Sequence, residues 1–149
     1  MPEFDQIEHK RLKKRLLKTT RNDLKESSIK QRYSKQELIT GILSFIALKN
    51  NWDGFGAIPA EVYSASNVIS LIDLIGENLL CTVDEVFPNP NGTISLMWNN
   101  KSNETISMEI GNETLSYYVA LPSKKTLFFN DIKINSKEAE RISKFIELL

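Results

Sequence analysis

The sequence predicts an α+β fold, a two-layer sandwich in which an antiparallel meander of four to five strands is covered by helices on one face. Apolar residues recur at helical spacing over residues 34–76 and 135–149, but alternate with polar residues between positions 93 and 121. A sheet with one apolar face must bury it, and the apolar helix faces are the material available to cover it. With 149 residues, 41% of them apolar, the chain can form one core.

The N-terminal part of the chain has a different character. Residues 5–31 predict a helix with a thin apolar stripe, which buries little and which we expect to be mobile unless a partner orders it. Residues 10–35 hold eleven Lys and Arg against two acids, a local charge of +9. Residues 36–149 hold eight bases against fourteen acids, a charge of −6. The sequence therefore divides into a basic helical arm, 1–33, and one α+β domain, 34–149.

Two core helices are expected before the sheet. Ser34-Lys35-Gln36-Glu37 has the form of a capping box, in which the Ser34 hydroxyl and the Glu37 carboxylate each accept from the other residue's amide. The helix that it starts has its apolar face at Leu38, Ile42, Phe45 and Ile46. A second helix is predicted from about Pro59 to Gly76. Its predicted apolar face is Val62, Ala65, Ile69, Ile72 and Ile75.

Strands are expected from residue 83 onward, where the hydrophobic period changes to two. Three strands lie between Thr93 and Leu121, separated by Asn- and Gly-rich stretches that suit hairpin turns. Further strands are predicted at 83–87 and 126–134. Asn135 then begins a final helix.

The polar face of the meander is a candidate interface. It is rich in Ser and Thr and poor in charge, and protein interfaces are depleted of charge at their centres. The alternative is a solvent-facing sheet that is rich in Thr because Thr has good β propensity. The residues are Thr93, Ser95, Met97, Ser107, Thr114, Ser116 and Tyr118.

The segment Asn51-Trp52-Asp53-Gly54-Phe55-Gly56-Ala57 is predicted to be a structural joint between the two core helices. Asp53-Gly54 is a turn pair, and Gly56 gives a second position that tolerates positive φ. We expect Trp52 and Phe55 to point inward and to pin the helix junction to the sheet. The alternative is a ligand pocket that uses Asp53 or the Trp52 indole.

Few residues suggest catalysis, and no cofactor or metal is expected. His9, the only histidine, lies in the charged arm, and Cys81 has no visible base beside it, so a small buried residue is the expected role. One His and one Cys cannot build a Cys/His zinc site in a monomer. Acids such as Glu104, Glu109 and Glu113 leave a carboxylate-based hydrolase as an alternative, but their spacing singles out no pair.

The basic arm favours contact with nucleic acid or an acidic partner. It contains no aromatic residue between positions 5 and 32, so base stacking is not indicated, and a solvated helix or a homodimer that pairs arm with body are alternatives. The candidate contact residues are Lys10, Arg11, Lys13, Lys14, Arg15, Lys18 and Arg21.

The chain resembles a family of small uncharacterised bacterial proteins. The features that carry the resemblance are the N-W-D-G-F-G-A segment at 51–57, Pro59, the P-N-P-N-G turn at 88–92, and a strand that ends at Trp98. They cover about residues 38–120 and carry no established chemistry. The resemblance implies an accessory role that is antitoxin-like or linked to defence.

We therefore expect a non-enzymatic, cytoplasmic protein-binding module, antitoxin-like or regulatory, with a protein partner. No apolar run reaches the roughly 18 residues of a membrane span, and the charged N-terminus lacks a signal core. A single cysteine cannot form an internal disulfide. The alternatives are a nucleic-acid-binding protein that uses the arm and a carboxylate-based hydrolase.

Overall fold

A computed structural model describes residues 33–149 and confirms the α+β class. The predicted arm helix, its seven candidate basic residues and His9 lie outside the described residues. The helices are α1 (Lys35–Ile46), α2 (Val62–Ile75), α3 (Glu77–Leu80) and α4 (Ser136–Leu148). The strands are β1 (Glu85–Pro88), β2 (Ile94–Asn99), β3 (Thr105–Ile110), β4 (Thr114–Ala120) and β5 (Leu127–Lys133).

The five strands form one antiparallel sheet in the order β1-β2-β3-β4-β5, the predicted meander. Alternate residues of β2, β3 and β4 are buried against the helices, and their neighbours form the opposite face, which we call the outer face. A register shift between Leu115 and Tyr117 marks a bulge where β4 meets the edge strand β5. The alternation of apolar and polar residues along these strands therefore determines which side of the sheet the described helices cover.

Helix α2 is the centre of the helical layer, because it contacts α1, α3, α4 and strands β2 and β3. Its buried face differs from the predicted one. Val62 is exposed and Ile69 is only half-buried, while Val68 and Leu71 are buried. Since α2 has helices on both sides and the sheet below, its buried surface is wider than a single stripe.

The helix boundaries follow from their caps. Both hydrogen bonds of the predicted capping box are present, from the Glu37 amide to Ser34 Oγ at 3.0 Å and from the Ser34 amide to Glu37 Oε2 at 3.2 Å. Gly76 ends α2 with a φ of 98° and donates its amide to the Ile72 carbonyl. The start of α2 was predicted too early, because Glu61 is its N-cap and Pro59 lies before the helix.

The described chain enters the core at Tyr33. Its side chain is buried, and its amide donates to the carbonyl of Cys81 at 2.9 Å. Cys81 is itself buried. None of the helices in residues 33–149 is long and apolar enough to cross a membrane.

A charged network lies beneath α4. The Tyr117 hydroxyl donates to Glu138 Oε1 at 2.6 Å, and Arg141 donates to both oxygens of the buried Glu138 carboxylate, at 3.0 and 2.6 Å. The Arg141 guanidinium lies 4.3 Å from the centre of the Phe129 ring, which stacks on Tyr117. Burial first, and then the bond to Glu138, raise the pKa of the Tyr117 hydroxyl above its ordinary value of about 10.

We expect Tyr117→Phe to lower the free energy of unfolding by about 1–3 kcal/mol at pH 7, because Glu138 loses a donor. The folded state holds the Tyr117 proton at pH values where the unfolded chain releases it. Its contribution is therefore complete below about pH 10 and is lost as the pH rises above that value. Urea unfolding between pH 7 and 11 measures this, with the exposed Tyr63→Phe as the control. A difference between wild type and Tyr117→Phe that stays constant across that range contradicts the network.

Candidate interaction surface

The loop at residues 51–57 is closed by its own backbone. The Asn51 amide donates to the Ala57 carbonyl at 2.6 Å, and the Gly54 amide donates to the Asn51 carbonyl at 3.0 Å. The loop needs three positive φ angles, 64° at Asn51, 83° at Gly54 and 89° at Gly56. Two glycines and an asparagine are the residues that adopt this conformation at low cost, which explains the composition of the segment.

Two polar side chains fill the inside of the loop. Asp53 Oδ1 accepts from the amides of Phe55 at 2.8 Å and Ala57 at 3.0 Å. Asn51 Oδ1 accepts from the Gly56 amide at 2.7 Å. These bonds give Asp53 and Asn51 a structural role. They also hold the part of the loop backbone that carries Phe55.

The two aromatic residues of the loop point in opposite directions. Trp52 is only 2% exposed, and its indole N–H donates to the Ile58 carbonyl at 2.7 Å. It packs with Leu48 and Ala57 in a small cluster of buried residues that is distinct from the main core. The prediction that Phe55 points inward is wrong, because its side chain is 89% exposed.

The segment that follows the loop runs beside the β1–β2 turn. The Ile58 amide donates to the Pro90 carbonyl and the Glu61 amide to the Gly92 carbonyl, each at 2.9 Å, and Ile58 forms a parallel bridge with Asn91. The N-W-D-G-F-G-A segment and the P-N-P-N-G turn, far apart in sequence, thus belong to one structural unit.

The β3–β4 turn joins the same end of the molecule. Asn112 donates its side-chain amide to Glu61 and accepts from the Ser64 hydroxyl at 3.2 Å. Asn67 donates to the carbonyls of Gly111 and Asn112 at 2.8 and 2.9 Å. We call the surface formed by residues 51–63, 89–93 and 109–114 the loop end.

The loop end exposes large apolar side chains in a short stretch of sequence. Four of the nine residues from 55 to 63 are large, apolar and substantially exposed, at 89%, 40%, 64% and 72%. The residues are Phe55, Ile58, Val62 and Tyr63. Phe55 lies on the hydrogen-bonded loop, Ile58 follows it, and Val62 and Tyr63 lie in the first turn of α2. Scattered surface apolar residues are ordinary, but a concentration of them in one part of a surface is typical of a contact surface.

Six of the seven residues that the sequence predicts as an interface lie on strands of the outer face, and the seventh, Thr93, lies in the β1–β2 turn, where its hydroxyl donates to Glu109 of the same face. The register places Ser107 opposite Tyr118, and Tyr118 opposite Phe128 on the edge strand β5. Phe128 is 68% exposed, and the sequence did not indicate it as part of the interface. Ser95 is nearly buried because Asn89 donates to its hydroxyl at 2.8 Å. The candidate residues therefore share one face, but they are not equally accessible.

The acids that sequence reasoning considered for catalysis are distributed along β3. Glu104 and Glu109 are five residues apart, and a strand rise of about 3.3 Å per residue separates them by about 16 Å. Glu109 Oε1 accepts from Asn91 at 3.1 Å and from Thr93 at 2.7 Å. Within residues 33–149, no group of three His, Cys, Asp or Glu side chains is placed to hold a metal ion.

Comparison of the chain with protein-family models, with curated proteins and with solved structures gives no match. The geometry of the described residues is therefore the basis for any functional proposal.

We expect Gly92→Ala to lower the free energy of unfolding by about 1–3 kcal/mol. A Cβ at position 92 would lie 2.8 Å from Glu61 Cγ and 3.0 Å from Ile58 Cδ1, and the φ of 88° strains any side chain. The matched control is Gly41→Ala, which meets no atom within 4 Å inside α1 and should stabilise by about 0.5–1 kcal/mol. Chemical denaturation measures both changes in the free energy of unfolding. Equal values for the two substitutions would exclude the close approach of residues 58–61 to the β1–β2 turn.

A second pair of variants distinguishes the contributions of Trp52 and Phe55 to the free energy of unfolding. Trp52→Ala should cost about 3–5 kcal/mol, because it empties a buried site and removes an indole hydrogen bond. Phe55→Ala should change stability by less than about 0.5 kcal/mol, because its side chain is exposed. Thermal and urea unfolding measure both values, and a large cost for Phe55→Ala would show that its side chain packs within the domain.

Proposed function

We propose that the protein is a protein-binding module that acts by contact rather than by catalysis, and that the loop end is its contact surface. The observation that carries this proposal is the exposure of four large apolar side chains within residues 55–63. Aromatic side chains that insert into a pocket of the partner supply much of the binding energy at protein interfaces.

The construction of the loop supports the same conclusion. Phe55 is held at the tip of a loop whose backbone is fixed by hydrogen bonds to Asp53 and Asn51. A side chain on a rigid backbone loses less conformational entropy when it binds than one on a mobile segment. A preorganised loop that exposes Phe55 to solvent is explained if Phe55 contacts a partner.

The resemblance noted from the sequence gives the proposed role. Two features that carry it, the segments at 51–57 and 88–92, both belong to the loop end, where residues 58–61, directly after the first segment, hydrogen-bond to the second. A contact surface of this kind suits a small cytoplasmic accessory protein, regulatory or antitoxin-like, that binds one protein partner.

Nucleic-acid binding by the basic N-terminal segment is the second candidate, and the observation that favours it is the local charge of +9 over residues 10–35. The outer sheet face, with Tyr118 and Phe128, is the alternative protein-binding surface. A hydrolase built on carboxylates is a weaker candidate, because Glu104 precedes β3 and Glu109 lies near its end, about 16 Å away at the rise of a strand.

The test compares two exposed phenylalanines. A tagged full-length chain should recover a stoichiometric partner from its native host, and Phe55→Ala should weaken that complex by about thirtyfold or more, the loss expected for an interface hot spot. Phe128→Ala is the matched control, since Phe128 is also exposed but lies on the outer face, and its complex should be unchanged. Calorimetry or surface plasmon resonance with the recovered partner gives both affinities.

Three outcomes contradict the proposal. Loss of the partner with Phe128→Ala but not with Phe55→Ala would move the interface to the outer sheet face. Recovery of nucleic acid in place of protein, with steep salt dependence that disappears when residues 1–32 are removed, would favour the second candidate. That truncation should keep Tyr33, which is part of the core. A monodisperse chain that recovers no partner would also count against protein binding.

A further inference from the structure

The charges of the described domain are unevenly distributed. Residues 50–123 contain nine acids and a single base, Lys101. Lys101 lies in the β2–β3 turn, which an antiparallel meander places at the end of the sheet opposite the β1–β2 and β3–β4 turns. The loop end is built entirely from this acid-rich part of the chain, so it has no base of its own.

Three carboxylates of the loop end are not paired with a cation among residues 33–149. Glu61 accepts from the amide of Asn112, and Glu109 accepts from Asn91 and Thr93. Glu113 is exposed. Neutral amide and hydroxyl donors hold a carboxylate in position but leave its negative charge uncompensated.

Two bases of the described chain, Lys49 and Lys133, lie next to segments of this surface. Lys49 is exposed two residues before the loop, and Lys133 pairs with Thr114 on the edge strand. The ion pairs among the described residues lie elsewhere, on α1, α2 and α4. The loop end therefore combines exposed apolar side chains with three carboxylates that have no cationic partner among residues 33–149.

We propose that the partner of the loop end presents Lys or Arg side chains around an apolar pocket that receives Phe55. This inference rests on the proposed function and adds the chemistry of the partner. Acids at the rim of an interface attract a basic surface over distances of about 10 Å at moderate salt, and they act mainly on the rate and specificity of association. A neutral or acidic pocket would leave Glu61, Glu109 and Glu113 facing no opposite charge.

A phage-displayed library of random 12-residue peptides, panned on the full-length chain, tests the chemistry without knowledge of the partner. The selected peptides should combine a bulky apolar residue with two or more Lys or Arg. A synthetic copy of one of them should bind at least tenfold more weakly in 500 mM than in 50 mM NaCl. Its affinity should fall at least tenfold with Phe55→Ala.

Charge reversal provides the matched pair of variants. Glu113→Lys, at an exposed position of the loop end, should weaken the peptide about three- to tenfold. Glu147→Lys makes the same change at an exposed position near the C-terminus of α4 and should leave the affinity unchanged. This end of α4 lies opposite the loop end, because the Leu149 carbonyl accepts from Asn100 in the β2–β3 turn. Thermal unfolding of both variants confirms that they are folded.

The outcomes separate the two proposals. Selected peptides that lack Lys and Arg, or whose affinity responds neither to salt nor to Glu113→Lys but still falls with Phe55→Ala, would overturn the basic partner and leave the contact surface standing. Peptides that bind equally well to Phe55→Ala would overturn the contact surface itself. Salt-sensitive self-association of the chain that Phe55→Ala abolishes would identify a second copy as the occupant and overturn a separate partner.

Discussion

The fold depends on the burial of one apolar face of a five-stranded sheet beneath a single layer of helices. Helix α2 contacts the other three helices and two central strands, so the layer is organised around it. This position requires apolar residues over a wide arc, from Ala65 and Val68 to Leu71 and Ile72. It also fixes where α2 begins, and the chain that leads into α2 at residues 58–61 is thereby laid against the β1–β2 turn.

The contact surface is a consequence of that geometry. Because the start of α2 lies beside two hairpin turns, three segments distant in sequence meet at one end of the domain. Amides connect them, with Asn112 and Asn67 as the main links. Such links hold the segments together without adding positive charge. Because neutral Asn side chains, rather than Lys or Arg, hold the turns together, the carboxylates of this surface keep their negative charge.

Much of the fold could be predicted from the sequence because it depends on periodic patterns and on local chemistry. The alternation through Ile94, Leu96 and Trp98 determined the buried face of β2, and the Ser34 capping box fixed the start of α1. The direction of Phe55 could not be predicted, since a single aromatic residue in a loop has no period to place it. Its exposure follows from the folded loop, whose backbone is held by bonds from Asp53 and Asn51. Val62 was misplaced because its helix begins later than Pro59 suggests.

The two tryptophans of the chain lie in different apolar clusters, Trp98 in the main core and Trp52 in the small cluster beneath the loop. Their indoles also differ, because Trp52 donates a hydrogen bond while the buried N–H of Trp98 has no acceptor among the described residues. Indole emission shifts with hydrogen bonding and exposure to water. The protein thus carries two built-in fluorophores, one that reports opening of the loop and one that reports melting of the sheet. Single replacement of either tryptophan by phenylalanine would allow the two events to be followed separately in time.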